Sequence, residues 1–269
     1  MVSIFGLSRV TKNVAGVRLF ALVTLCPVAI LTAQVPSNGL LATNRTENTP
    51  VVHDLSPEMR GDILMARKMF REAVEMYQTA PKDNAAIANK TGLAYHQMLE
   101  IETARKWYER AIKLKPDYAE AINNLGAVNY QRKSFRKAVN LYKKALRLTP
   151  ENASIHSNLG TAYFARKNYD KAFEEYQAAL LLDPEVFEHK SSHGILLQER
   201  SVEDRARFHF FLAKTYAKAG QVDRAMQYIR KALEEGFKER DKFTKEPEFT
   251  ALRELPEFKE LMTAEYKVL

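Results

Sequence analysis

The feature that most constrains this chain is a period of 34 residues. Gly92, Gly126 and Gly160 recur at that interval, as do Ala104, Ala138 and Ala172, and Tyr108, Tyr142 and Tyr176. The same holds for Ala111, Ala145 and Ala179, for Leu114, Leu148 and Leu182, and for Pro116, Pro150 and Pro184. Six positions that each repeat three times define one structural unit stacked on copies of itself. With only 10 Gly and 10 Pro in 269 residues, the chain has few of the turn residues that an all-β repeat consumes. The unit is therefore predicted to be helical.

The residue types follow from packing. Two antiparallel helices approach closely only where side chains are small, so Gly126 and Ala138 mark the crossing within a unit, and Ala145 admits the next one. Tyr142 fills the space that remains. Each proline ends a second helix by removing a donor and biasing the residue before it away from the α region. Leu159-Gly160-x2-Tyr163 and Gly92-x2-Tyr95 belong to first helices; Ala104-x3-Tyr108, Ala138-x3-Tyr142 and Ala172-x3-Tyr176 belong to second helices. On these motifs the chain resembles the tetratricopeptide repeat (TPR) family, a 34-residue helix-turn-helix repeat. The resemblance implies an all-α fold, a right-handed superhelical solenoid of hairpins closed by C-terminal capping helices.

Residues 85–118, 119–152 and 153–184 read as three nearly complete repeats, with Ala88, Ile122 and His156 at the place of the signature Trp. His156 reads as a packed histidine. Upstream, Ser56-Pro57-Glu58 is a helix start, and Phe70, Ala73, Tyr77 and Ala80 match a second helix, so 56–84 is a degenerate repeat. Downstream, Leu212-Ala213-x2-Tyr216, Gly220, Ala225, Ile229 and Ala232 restore the pattern in a divergent repeat over 206–239, with Ala213 in place of Gly. Its phase is displaced by a 19-residue insertion within 185–205, and Ser201-x2-Asp204 is predicted to cap the helix that follows. Over 240–266, Glu246-Pro247-Glu248-Phe249 and Leu255-Pro256-Glu257-Phe258 predict two short helices that cover the last open face.

The beginning of the chain is different in kind. Residues 1–33 contain Arg9, Lys12 and Arg18 and no acid, and Leu19 to Ala33 is an uncharged apolar run shorter than the roughly 20 residues needed to cross a bilayer. This reads as a secretory signal peptide, which predicts a periplasmic or secreted protein; the alternative is an inner-membrane anchor over 19–33. Leu25 before Cys26 argues against a lipoprotein. Residues 34–55, rich in Pro, Ser, Asn and Thr, read as a flexible linker. Cys26, the one cysteine, excludes an internal disulfide. The net charge of +8 includes the three leader cations, and the remaining cations alternate with carboxylates. That pattern describes a solvated helical surface rather than a nucleic-acid stripe.

No catalytic motif is visible: there is no Gly-rich phosphate loop, no Gly-x-Ser-x-Gly and no His-Glu-x2-His. No cofactor is expected, and the chain is not read as an enzyme. Glu188-His189 with His193 offers two imidazoles four apart and no further ligand, so a solvated loop is favoured over a metal site. Trp107 is either a rim residue or a binding aromatic. The resemblance implies a concave groove lined by first helices, which here includes Asn89, His96, Asn123, Asn124, Tyr130, Ser157, Asn158, Thr161 and Phe164, with Arg207, Phe210 and Lys214 from the divergent repeat. Amides there can pair with the backbone of an extended peptide, aromatics can hold an apolar anchor, and Arg207 with Lys214 can meet a carboxylate. The competing reading makes them ordinary exposed helix residues. Of the Lys, Asn, Asn, Lys, Arg set with which one TPR subgroup grips chaperone tails, only Asn124 is matched; Asn89, Leu93, Ser154 and Asn158 take the other places. The implied partner is a protein or extended peptide, bound by an adaptor or assembly factor of the cell envelope. The alternatives are a membrane-tethered scaffold that self-associates and an enzyme whose site lies in the 185–205 insertion.

Overall fold

The computed structural model of the chain describes residues 55–187 and 201–266. The leader, nearly all of the linker, and Glu188, His189 and His193 lie outside the described residues. Among the described residues every regular element is a helix. Five antiparallel hairpins follow one another: α1 (Pro57–Ala66) with α2 (Phe70–Gln78), α3 (Ala85–Gln97) with α4 (Ile101–Leu114), α5 (Ala119–Gln131) with α6 (Phe135–Leu148), α7 (Ala153–Ala165) with α8 (Tyr169–Leu182), and α9 (Val202–Lys218) with α10 (Val222–Glu234). Each of the first four second helices packs on the first helix of its own hairpin and on the first helix of the next, as in a TPR solenoid.

Local chemistry sets the helix limits. The Asn84 side chain accepts hydrogen bonds from the amides of Ala86 and Ile87, and Asn152 accepts one from Ile155. Ser56 caps α1, with Pro57 at the first helical position where its missing N–H has no role. Ser201 caps α9 through the Asp204 amide at 3.1 Å, and α9 runs to 17 residues against 13 for α3, α5 and α7. The insertion thus ends in an extra helical turn at the start of α9. In contrast, α2 has 9 residues where α4, α6 and α8 have 14.

Inside each of the first four hairpins one glycine faces one tyrosine. A Cβ built on Gly92, Gly126 or Gly160 would come within 2.8, 2.6 and 2.6 Å of the rings of Tyr108, Tyr142 and Tyr176. All three tyrosines are completely buried. The first hairpin repeats the arrangement with Gly61 and Tyr77, a pairing the 34-residue count does not reach because that repeat is short. In the fifth hairpin Ala213 stands for the glycine and Ile229 for the tyrosine, so the methyl group gained on one side is matched by a smaller partner on the other. Tyr228 beside it stacks on Tyr216 at 5.3 Å.

The C-terminal cap differs from two regular helices. It consists of α11 (Asp241–Lys245), a 3-10 segment (Pro247–Leu252) and α12 (Pro256–Thr263). Only a few residues separate Pro247 from Pro256, and the residue before a proline is biased away from helix, so the middle piece tightens into 3-10 geometry. Phe243, Phe249, Leu252, Phe258 and Leu261 from this cap are buried in the same core as α9 and α10.

Candidate functional site

The first helices α3, α5 and α7 carry a chain of side-chain amides that crosses three hairpins. Asn158 Nδ2 donates to Asn123 Oδ1 at 3.1 Å, Asn123 Nδ2 to Asn124 Oδ1 at 3.4 Å, and Asn124 Nδ2 to Asn89 Oδ1 at 3.0 Å. Asn89 Nδ2 then donates to Glu120 Oε1 at 2.8 Å. A carboxylate only accepts, so Glu120 fixes the amide of Asn89 with its nitrogen toward the carboxylate. That choice dictates the orientation of every amide behind it. All four asparagines are buried, Asn89 and Asn124 almost completely. The other oxygen of Glu120 accepts from the Tyr118 hydroxyl at 3.2 Å.

The remaining first-helix residues divide into two groups. Ser157 and His96 are partly exposed, with His96 Nδ1 3.4 Å from the Tyr108 hydroxyl. Thr161 donates to the Ser157 carbonyl and accepts from the Tyr176 hydroxyl at 3.3 Å. Tyr130 and Phe164 are core residues: Tyr130 packs on Phe135 at 5.1 Å, and Phe164 packs edge-on against Tyr169, Phe208 and Phe211. Phe211 occupies the register place of Asn158 in its own hairpin, so the amide chain has no counterpart on α9.

At the α9 end the cap already meets the expected groove residues. Lys214 Nζ lies 2.7 Å from Glu246 and 3.5 Å from Glu248, and 4.7 Å from the centre of the Phe173 ring. The Arg207 guanidinium donates to the Tyr169 hydroxyl at 3.1 Å, with Glu203 and Glu239 at 3.5 and 3.6 Å. Phe210, expected on an open surface, is buried beneath the cap and stacks on Phe237 at 4.6 Å. The C-terminal segment brings Glu246, Glu248, Phe243 and Phe249 onto α9, while Tyr169 and Phe173 come from α8 and Glu203 from α9 itself. Sequence periodicity had no access to that contact, since the cap does not repeat.

His156 is a partial correction to its reading as a packed histidine. Its side chain is only partly buried, and both ring nitrogens are engaged, Nδ1 with Glu175 at 2.7 Å and Nε2 with the Pro150 carbonyl at 2.9 Å. It ties the start of α7 to α8. A second cluster, unsuspected from the sequence, sits at the other end of the solenoid. Lys90 on α3 lies 2.7 Å from both Glu58 and Asp62 on α1, and Asp62 also accepts from the Tyr77 hydroxyl at 2.7 Å. Burial alone would lower the Lys90 pKa, but its hydrogen bonds to Asp62 and Glu58 outweigh that effect and raise it. Among the described residues no group of His, Cys, Asp and Glu is arranged to hold a metal ion, and no helix is long and apolar enough to cross a membrane.

A chain of helical hairpins with a side-chain row along consecutive first helices defines a protein-interaction scaffold. Family models described as TPR repeat match residues 92–133 and 130–165, and models described as tetratricopeptide repeat match 153–186 and 206–235. The chain belongs to the tetratricopeptide repeat family. None of these matches includes α1 and α2, which share the glycine-tyrosine pairing nonetheless. No curated protein matches the sequence. Similar solved structures include MamA, at 23% identity and a TM-score of 0.46 over 65% of this chain and 93% of that one. They also include a MamA from Desulfovibrio magneticus RS-1, at 20% identity and a TM-score of 0.46 over 65% and 90%. YrrB, described as a TPR protein with an unusual peptide-binding site, aligns at 16% identity and a TM-score of 0.45 over 67% and 84%.

Proposed function

We propose that the chain is an adaptor or assembly factor of the cell envelope that binds an extended segment of a partner protein along the first helices of its repeats. The observation that carries this reading is the amide row from Asn158 through Asn123 and Asn124 to Asn89. Each amide has two N–H donors and two acceptor positions, and the row uses one donor of each. Asn123 and Asn158 keep some exposure and carry the capacity left over, its direction fixed by Glu120, while the almost fully buried Asn89 and Asn124 back the row. Pre-oriented amides suit the alternating N–H and C=O groups of an extended backbone, because little side-chain freedom is lost on binding. Ser157 and His96, partly exposed on the same helices, supply adjoining contacts. The envelope assignment rests on the basic and apolar leader over residues 1–33.

A photo-crosslinking side chain introduced in the full chain at Ser157 or His96, and separately at exposed Lys143 on α6, tests the reading in envelope fractions. Adducts to the same partner from Ser157 and His96, with none from Lys143, are expected. Adducts from Lys143 alone would remove the groove from consideration.

A further inference from the structure

The short second helix of the first hairpin leaves a recess. Helices α4, α6 and α8 run to 14 residues each, whereas α2 has 9, ends at Gln78 and is followed by Pro81. Beside the end of α2 there is a cavity of about 300 Å³, lined by Tyr77, Pro81 and Ile87 and by Trp107 of α4. Its rim carries Lys82 and Arg110, both exposed. The Arg110 guanidinium lies over the Trp107 ring at 5.3 Å, and its Nη2 donates to the Lys82 carbonyl at 2.7 Å. That contact holds the guanidinium at the mouth with several N–H groups still outward.

The charge of the recess is one-sided. None of the residues lining it is acidic, and among the described residues neither Lys82 nor Arg110 forms an ion pair. Asp83, between two lining residues, is outside the lining and exposed. The Asn84 side-chain oxygen in the lining is already taken up in capping α3, and the Tyr77 hydroxyl in donating to Asp62. A ligand must therefore bring apolar surface for Tyr77, Ile87 and Trp107 and negative charge for the rim. None of the groove residues Asn89, His96, Asn123, Asn124 or Ser157 takes part, so this surface is separate from the proposed groove. Its volume is at the lower end of the ~300–1,000 Å³ of ligand sites and suits a single side chain rather than a whole cofactor.

We infer that the recess beneath the short α2 is a second docking point, which takes an acidic segment of a partner protein, one apolar side chain entering against Trp107 while flanking carboxylates meet Arg110 and Lys82. Charge complementarity sets the partner's sign, and the indole supplies the apolar contact.

Trp107 is the sole tryptophan of the 269 residues, so the fluorescence of the full chain reports on this recess directly. The probe is a capped peptide of Asp and Glu flanking one Leu; its controls carry Lys for every acid, or Ser for the Leu. A saturable change in emission with the acidic peptide alone is expected. The Lys82→Glu, Arg110→Glu double variant should weaken it by about tenfold or more, and salt should weaken it further. Circular dichroism checks that the variant is folded, and Lys82→Gln with Arg110→Gln serves if it is not. No saturable change with the acidic peptide, or undiminished binding by the folded charge variant, would overturn the inference. So would a response to vesicles of anionic phospholipid with none to the peptide.

Discussion

The ring of Tyr142 stands where a Cβ on Gly126 would have to go, 2.6 Å from the place that atom would occupy. Alanine is the better helix former by about 1 kcal/mol, so a glycine kept in the middle of a helix needs a compensating contact. Here it is the tyrosine. Gly126→Ala is therefore expected to destabilise the chain by about 1–3 kcal/mol net, the usual cost of forcing extra volume into a packed core. Adding Tyr142→Ile should recover much of the loss, since Ala213 with Ile229 is the same solution in the fifth hairpin. Urea unfolding of the two single variants and the double variant measures the coupling. A neutral Gly126→Ala would show that the hairpin has slack there.

The hydroxyl of Tyr142 is buried and makes no hydrogen bond, whereas that of Tyr77 donates to Asp62. Burial first, and the Asp62 contacts second, raise the pKa of Tyr77; burial raises Tyr108 and Tyr142 as well. An unfolded tyrosine loses its proton near pH 10 while the folded one keeps it, so the native state holds more protons above that pH and stability falls as pH rises. Chemical denaturation followed from pH 8 to 11.5 should be level at first and then decline by up to about 1.4 kcal/mol per pH unit for each such tyrosine. Tyr142→Phe should be nearly neutral at pH 7 and should make the alkaline decline shallower. An unchanged slope would mean that Tyr142 ionises freely in the fold.

Asn124 is the pivot of the amide row, accepting from Asn123 and donating to Asn89. Asn124→Ala leaves the buried Asn89 oxygen without its donor and is expected to cost about 1–3 kcal/mol. Asn124→Asp places a second acceptor against that oxygen and should cost more at pH 7. Part of that loss should return on acidification, because a protonated carboxyl can donate again. Thermal melts of both variants at pH 7 and pH 4, each against wild type, measure this. Equal melting for Asn124→Asp and wild type at pH 7 would show that the Asn89 amide can turn over, and that Glu120 does not fix the row.

The repeat architecture was legible because packing demands the same small and aromatic residues every time a hairpin is stacked. Gly92, Gly126 and Gly160 expose that demand at a fixed interval, and Gly61 escaped only because its repeat is shortened. The candidate site was less legible: Asn89 and Asn123, like Asn124 and Asn158, lie one period apart, but the group that anchors them does not repeat. Glu120 has Ser154 one period later and Ala86 one period earlier, so no spacing marks it as the anchor of the asparagines. Tyr130 and Phe164 sit at groove positions of the repeat yet turn into the core, since their neighbours Phe135, Tyr169 and Phe208 are large and apolar. Register alone places Arg207, Phe210 and Lys214 in the groove. Part of what meets them, Glu246 and Glu248 at Lys214 and Phe243 and Phe249 at Phe210, comes from the cap, whose contact with α9 is set by tertiary packing that periodicity does not contain.

Lys214 joins three elements through one ammonium group: Phe173 on α8 lies beneath it, and Glu246 and Glu248 at the 3-10 segment face it. Both ends of the Glu248 contact are largely shielded from water, so the pair differs from an exposed surface bridge. Removing the cation leaves a nearly buried carboxylate with no compensating charge, and Lys214→Ala is expected to cost about 1–3 kcal/mol on that account. The damage should be local. Amide hydrogen exchange should accelerate over residues 247–252, which pack on α9, while α5 and α6 keep their protection. Adding Glu248→Gln, which removes the stranded charge, should restore part of the protection over 247–252. If Lys214→Ala leaves exchange in that segment unchanged, the buried aromatic contacts of Phe243 and Phe249 with Phe210 hold the cap by themselves, and the ion pairs only decorate its edge.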